Sequence, residues 1–199
     1  MSNWYDATSP EVFSEPIQAK KDVSIEVTAA VSGAWTVKDI VPGYAGKTTK
    51  TVKVTIQITD PDVKTEHEDA KPKLVFEQAF NIEPHYYLDA KSGTVKAMRP
   101  GLLFTLEDAL GFDPVFVDGQ GNVVEPFVTR NGNKIAPKGV EGVSRKLNAD
   151  FANAYFNDDG TPNLNWSGIK VYADIELQSD EKYGDKNQIT RFKKAPVSV

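Results

Sequence analysis

Two stretches of this chain alternate apolar and polar residues so strictly that they can bury only one face. Val52, Val54, Ile56 and Ile58 are separated by Lys53, Thr55 and Gln57, and Ile169, Val171, Ala173, Ile175 and Leu177 repeat the pattern. A side-chain period of two belongs to a strand with a core face and a solvent face, and excludes an amphipathic helix over the same residues. Beyond Leu177 a polar turn, Ser179 to Lys186, leads to a shorter strand, Gln188 to Lys193. The C-terminal part therefore reads as a β-hairpin whose open face carries Lys170, Tyr172, Arg191 and Lys193.

Other segments fall into place around these strands. Residues 1–20 lack periodicity and hold Pro10 and Pro16, which predicts an extended arm. Val23, Ile25, Val27 and Ala29 predict a first strand that continues past Gly33 towards Val37. Val41 to Thr49 is a turn-rich loop, Val52 to Ile58 the second strand, and Leu74 to Ile82 the third, after an acidic loop at 60–72. Leu102 to Gly111 predicts a short helix, with Thr105 and Asp108 in capping-box spacing. Phe116 to Val124 predicts a small hairpin turning on its glycines. Val143, Leu147, Phe151 and Tyr155 recur every four residues and predict a helix of ~3 turns.

Three strands, a helical insertion and two more strands define a fold class that is mainly β with helical insertions (α+β). The order is that of an OB-fold, a five-stranded barrel, with an elaborated connection between strands 3 and 4. The expected organisation is one domain over residues 21–196, interrupted by an insertion at about 100–166.

Composition narrows the chemistry. The 199 residues contain no cysteine and two histidines, His67 and His85, so thiolate zinc sites and cysteine nucleophiles are excluded. No apolar run approaches the ~20 residues of a membrane span, and the polar N-terminus is unlike a secretory signal, which predicts a cytoplasmic protein. The net charge of -5 argues against binding nucleic acid by bulk charge alone. The distribution is uneven, however. Lys38, Lys47, Lys50 and Lys53 face Asp39 alone between Gly33 and Lys53, and no acid follows Lys186. A local basic track of this kind makes binding depend on salt.

Gly46-Lys47-Thr48 is not a phosphate loop, because Val41 stands where the first glycine belongs and a strand follows where a helix is needed. Gly119-Gln-Gly121 lacks the third glycine of a dinucleotide site, and Asp158-Asp159-Gly160 lacks the alternating ligands of a calcium loop. The cluster Glu66, Glu68, Asp69 is the one feature suggesting a metal-dependent nuclease, and solvated loop charge is the simpler reading. Phe104, Phe112, Phe151, Tyr155 and Phe192 fall at core positions. Trp35, Tyr44, Tyr172 and Tyr183 fall on polar faces or in loops, where a flat ring can stack on a base.

Gly168-Ile-Lys-Val and Tyr183-Gly-Asp-Lys-Asn-Gln-Ile-Thr-Arg-Phe192 resemble the last two strands of bacteriophage single-stranded DNA-binding proteins. The resemblance covers residues 167–194 most specifically, is looser over the first three strands, and does not reach 113–142. It implies a non-enzymatic protein without cofactor or metal that coats single-stranded DNA in phage replication and recombination, in the host cytoplasm. Phage replication proteins and further copies of the chain are its implied partners. The nucleic-acid-binding set expected on this basis is Trp35, Lys38, Tyr44, Lys47, Lys50, Lys53, Lys170, Tyr172, Tyr183, Arg191 and Lys193. The rival expectations are a virion assembly protein with a β-barrel core and, behind it, the metal-dependent nuclease.

Overall fold

The computed structural model describes residues 14–179 and 184–195. Most of the expected arm, together with Tyr183, lies outside them. In chain order the elements are β1 (Ser14–Glu15), β2 (Lys20–Thr36), β3 (Thr48–Ile58), β4 (Lys71–Pro72), β5 (Val75–Asn81), β6 (His85–Leu88) and β7 (Val95–Met98). Helix α1 (Gly101–Ala109) follows, then β8 (Val115–Val117), β9 (Val123–Val124), β10 (Phe127–Val128), β11 (Lys134–Ile135) and β12 (Ser144–Lys146). Helix α2 (Ala149–Tyr155), a 3-10 turn at Leu164–Trp166, β13 (Ile169–Gln178) and β14 (Lys186–Lys193) complete the chain.

The alternating segments pair as their patterns require. They build one antiparallel sheet in the order β14-β13-β2-β3-β5. Its inner face gathers Val23, Ile25 and Val27 from β2, Val52 to Ile58 from β3, Val171 to Ile175 from β13, and Ile189 and Phe192 from β14. Each such side chain contributes about 1.5–3 kcal/mol of burial, so the core is held mainly by these rows. Leu103 and Leu106 of α1, Phe151 of α2 and Trp166 close it from the other side.

The protein is mainly β, as expected, but the sheet is not a closed barrel. Among the described residues no backbone ladder joins the edge strands β14 and β5. Side chains fill that seam instead. The Gln78 side-chain carbonyl accepts from the Ile189 N–H at 3.3 Å, the Thr105 hydroxyl accepts from the Phe192 N–H at 3.0 Å, and Phe80 meets Phe192 edge to face at 5.5 Å. These partners satisfy edge groups that a closed ladder would otherwise take up.

Two further expectations are corrected. Thr105 does not cap α1: the helix begins after Pro100 without a side-chain cap, and Thr105 serves the β14 edge from mid-helix. The second helix is Ala149–Tyr155 alone, because the Asn148 side chain caps it by accepting from the N–H groups of Asp150 and Phe151. The residues just before it, Ser144–Lys146, pair with β8 as a strand, and Val143 belongs to no helix. The end of the expected N-terminal arm is held to the core. Ile17 is fully buried in the core, and its N–H and C=O both bond the Asn187 side chain, at 2.9 and 2.8 Å.

One irregularity positions the site. Between Val27 and Ala29 the register of β2 against β3 shifts, leaving Thr28 as an extra residue. The Thr28 hydroxyl donates to the Thr55 carbonyl, and the Thr28 carbonyl accepts from the Ser167 hydroxyl. Before the bulge, odd-numbered residues of β2 face the core; after it they face outward. Trp35 is thereby turned to the outer face, on a hairpin that extends beyond the core.

Candidate nucleic-acid interface

The outer face of the β2–β3 hairpin carries Val31, Gly33 and Trp35 opposite Lys53, Thr51 and Thr49. Gly33 is required there, since a Cβ at this position would meet the Thr51 hydroxyl at 2.6 Å. The hairpin loop folds on itself around buried Val37 and Val41, and closes with the Val37 N–H bonded to the Lys47 carbonyl. Glycines at positive φ, Gly43 and Gly46, make its turns.

β6 and β7 form a second hairpin beside this loop. Its turn is held by Asp89, whose carboxylate accepts from Lys96, from the Lys91 N–H and from the Ser92 hydroxyl. Those bonds, Lys96 first, hold the carboxyl at about 2. The hairpin supplies Tyr86, whose ring stacks on Tyr44 at 3.8 Å, and His85, whose Nδ1 lies 3.3 Å from the Thr49 hydroxyl. The Lys47 ammonium sits over the Tyr44 ring, 5.0 Å from its centroid.

Trp35, 48% exposed, stands at a cleft of about 440 Å3 shared with Ala79, Asn81, His85, Met98 and Arg99. The Arg99 guanidinium makes no hydrogen bond or ion pair among the described residues, and neither do the ammonium groups of Lys38 and Lys47. Sequence reasoning missed Arg99, Met98, His85 and Tyr86. They sit in a segment without periodicity, and only the chain path brings them to Trp35.

The C-terminal hairpin reaches its pairing through a register shift beside Asp174, so that Ile189 and Phe192, three positions apart, both face the core and Arg191 and Lys193 fall on the other face. Tyr172 lies opposite Lys193, and Asp174 opposite Arg191. Part of the charge on that face, however, is paired within the protein. Lys193 pairs with Asp22 at 2.9 Å and with Asp174 at 2.6 Å. Those two partners raise the Lys193 pKa, and Asp174 is lowered, since the Lys193 ammonium and the Asp22 N–H outweigh the opposing cost of its burial. Asp22 itself sits at φ 56, a left-handed conformation that the Asp174 carboxylate and Lys193 hold in place. Lys170 approaches Glu26 at 3.9 Å. Arg191 lines a cleft with Lys134 and Arg145, against the insertion.

The remaining lysines do not form one track. Lys53 faces outward and pairs with Glu77 at 2.5 Å. Lys50, three positions away in the same strand, faces the opposite side and lines a cleft with Glu83, Asn157 and Gly160. Tyr44, stacked on Tyr86 and approached by Lys47, is packed rather than open. Trp166 does not lie near an open face: it is 1% exposed, and its indole N–H donates to the Tyr155 carbonyl. Tyr183 lies outside the described residues.

Among the described residues no group of three or more His, Asp or Glu side chains converges as a metal site, and Glu66, Glu68 and Asp69 are spread along their loop. The most deeply buried charge is structural. Glu107 of α1, fully buried, accepts from Arg145 at 2.7 Å and from the Asn148 N–H at 2.9 Å. Burial raises its pKa against those bonds. Arg145 also bonds both oxygens of Asp108 and lies over Phe104, locking α1 to β12 and to the start of α2.

Comparison with known proteins gives no relative to argue from: no family model, curated protein or solved structure matches this chain.

Proposed function

We propose that this protein binds single-stranded nucleic acid, with DNA in phage replication and recombination as its setting, and that the strand runs along the outer face of the β2–β3 hairpin. The observation that carries this reading is Trp35: a tryptophan turned outward by a bulge, half exposed, beside an arginine with no acidic partner among the described residues. An exposed aromatic face with unpaired cations around it matches the two needs of a single strand, stacking for bases and charge for phosphates. Lys38 and Lys47, in the adjoining loop, extend the charge. The strand order supports an OB-type barrel left open at the seam between β5 and β14, a fold whose first interstrand loop is used for oligonucleotides. The resemblance over residues 167–194 points the same way.

Fluorescein-labelled oligo-dT, titrated with the full chain at about 50 mM and about 200 mM salt, tests the reading. Low-micromolar binding that weakens with salt, and falls in Trp35→Ala, is expected. Binding indifferent to salt, or none at low salt, would sink it.

One observation favours a second reading, self-assembly. Val123, Phe127, Val128, Ile135 and Val140 are all exposed in the β9–β11 region, an apolar concentration unusual for a surface that meets only water. Light scattering that reports large oligomers without nucleic acid, together with no oligo-dT binding, would select it.

A further inference from the structure

The cleft beside Trp35 has features that strand coating alone does not need. Coating requires only ring faces and positive charge, since every base presents a π-face. Here the walls also carry side-chain amides with hydrogen-bonding capacity left over. Gln78 uses its carbonyl on the Ile189 N–H and keeps its NH2. Asn81 uses its NH2 on the Met98 carbonyl at 3.5 Å and keeps its own carbonyl. Gln188 makes no side-chain hydrogen bond among the described residues, and His85, engaged through Nδ1, keeps Nε2. Met98 and Leu102 supply apolar surface, and Arg99, without an acidic partner among the described residues, lines the same cleft.

A flat indole, a thioether, a guanidinium and a set of in-plane donors and acceptors match one class of ligand. A nucleobase offers a π-face and an edge of alternating donors and acceptors, and its phosphate answers the arginine. The volume of about 440 Å3 is near the low end of the ~300–1,000 Å3 typical of ligand sites, which suits one nucleotide and not a stacked run. We infer that the cleft takes a single nucleobase turned out of the bound strand, stacked on Trp35 and read along its edge by Gln188, Gln78 and Asn81, with Arg99 on the adjoining phosphate. This rests on the single-strand reading above, and it adds a base preference to a surface otherwise indifferent to sequence.

The test titrates the full chain with each of the four deoxynucleoside 5′-monophosphates and with deoxyribose 5-phosphate, beside the oligo-dT titration. Tryptophan emission is the signal and Trp35→Phe the blank. At least one monophosphate is expected to quench Trp35, the sugar phosphate is not, and the best and worst bases differ about tenfold, the scale of one edge contact. Gln188→Leu narrows that spread. Met98→Glu, at an exposed position where the fold tolerates change, weakens every monophosphate. Normal oligo-dT binding without monophosphate quenching overturns the base cleft and leaves the strand reading standing. Equal quenching by all four bases, unaltered by Gln188→Leu, overturns it too. Monophosphate binding without oligo-dT binding keeps the cleft and sinks the strand reading, and the absence of both sinks both.

Discussion

The two long hairpins of the main sheet carry the same kinds of residue on their outer faces and use them differently. On β13–β14, the cation of Lys193 is held between Asp22 and Asp174, and it pins a bulge that a left-handed Asp22 creates. On β2–β3, the bulge at Thr28 turns Trp35 outward, and the cations near it, Lys38, Lys47 and Arg99, have no acidic partner among the described residues. One hairpin is buttressed by α1 and spends the charge of Lys193 internally; the other projects, pairs Lys53 with Glu77, and leaves Lys38 and Lys47 without an acidic partner among the described residues. Alternation says which way a side chain points. Whether a charge is free depends on residues from other strands.

The sharpest separation of the two comes from the buttress. Arg145→Met leaves Glu107 buried without its cation, and breaking a buried pair in this way costs about 3–5 kcal/mol. Denaturant unfolding should show that loss. Because burial already raises the Glu107 pKa, the loss is greatest above that raised pKa and shrinks as pH falls through it and the carboxyl protonates. Oligo-dT affinity of the folded variant should stay at the parent level. A large loss of affinity at full folding would mean that the buttressed side also binds.

The next effect runs the other way. Trp35→Ala should weaken oligo-dT about tenfold, within the ~1–3 kcal/mol of one stacking contact, while unfolding stability barely changes, since Trp35 supports no core residue. Tyr172→Ala, its counterpart on the C-terminal hairpin, should change affinity by less than about twofold on the same scale. Equal losses from the two variants would erase the distinction between the hairpins.

A smaller contrast lies in the lysines. Lys47→Ala should lower the slope of log affinity against log salt by about one unit, the signature of one lost phosphate contact. Lys193→Met should leave that slope where it was and lower the melting temperature slightly instead.

The elements that sequence made legible were those whose own residues carry the signal. Val52 to Ile58 and Ile169 to Leu177 declare their strands and their core faces, whereas Tyr172 meets Lys193 only through a register shift beside Asp174 that the pattern does not announce. Trp35 was legible as a binding residue only by type. Its outward direction depends on the bulge at Thr28, which local pattern does not reveal, since odd-numbered positions before it face inward. The helix expected from Val143 was a coincidence of spacing, overridden by the Asn148 cap and by pairing of β12 with β8. Arg99, His85 and Met98 gave no signal, because their meaning comes from a cleft assembled by β2, β5, β6, β7 and the start of α1. The lysine track failed for the simplest reason: Lys50 and Lys53 are an odd number of residues apart in one strand and face opposite ways.

The finest test of the contrast is the pH dependence of the Lys193 pairing. Asp174 has its folded pKa lowered below 3.8, so its contribution is fully present above the unfolded value and disappears as pH falls through the folded one. Lys193 has its folded pKa raised above 10.5, so its contribution is fully present below the unfolded value and is lost as pH rises through the folded one. The pairing therefore stabilises across the whole interval between those two unfolded values and weakens at either end. The melting temperature of Lys193→Met, subtracted from that of the parent, should be a small constant through neutral pH and should shrink towards zero in acid, as Asp174 takes up its proton. The same subtraction for Lys47→Ala should stay flat in acid, because no carboxylate pairs with that lysine among the described residues. A Lys47 difference that also vanished in acid would mean that the projecting hairpin, like the buttressed one, spends its charge on the protein itself.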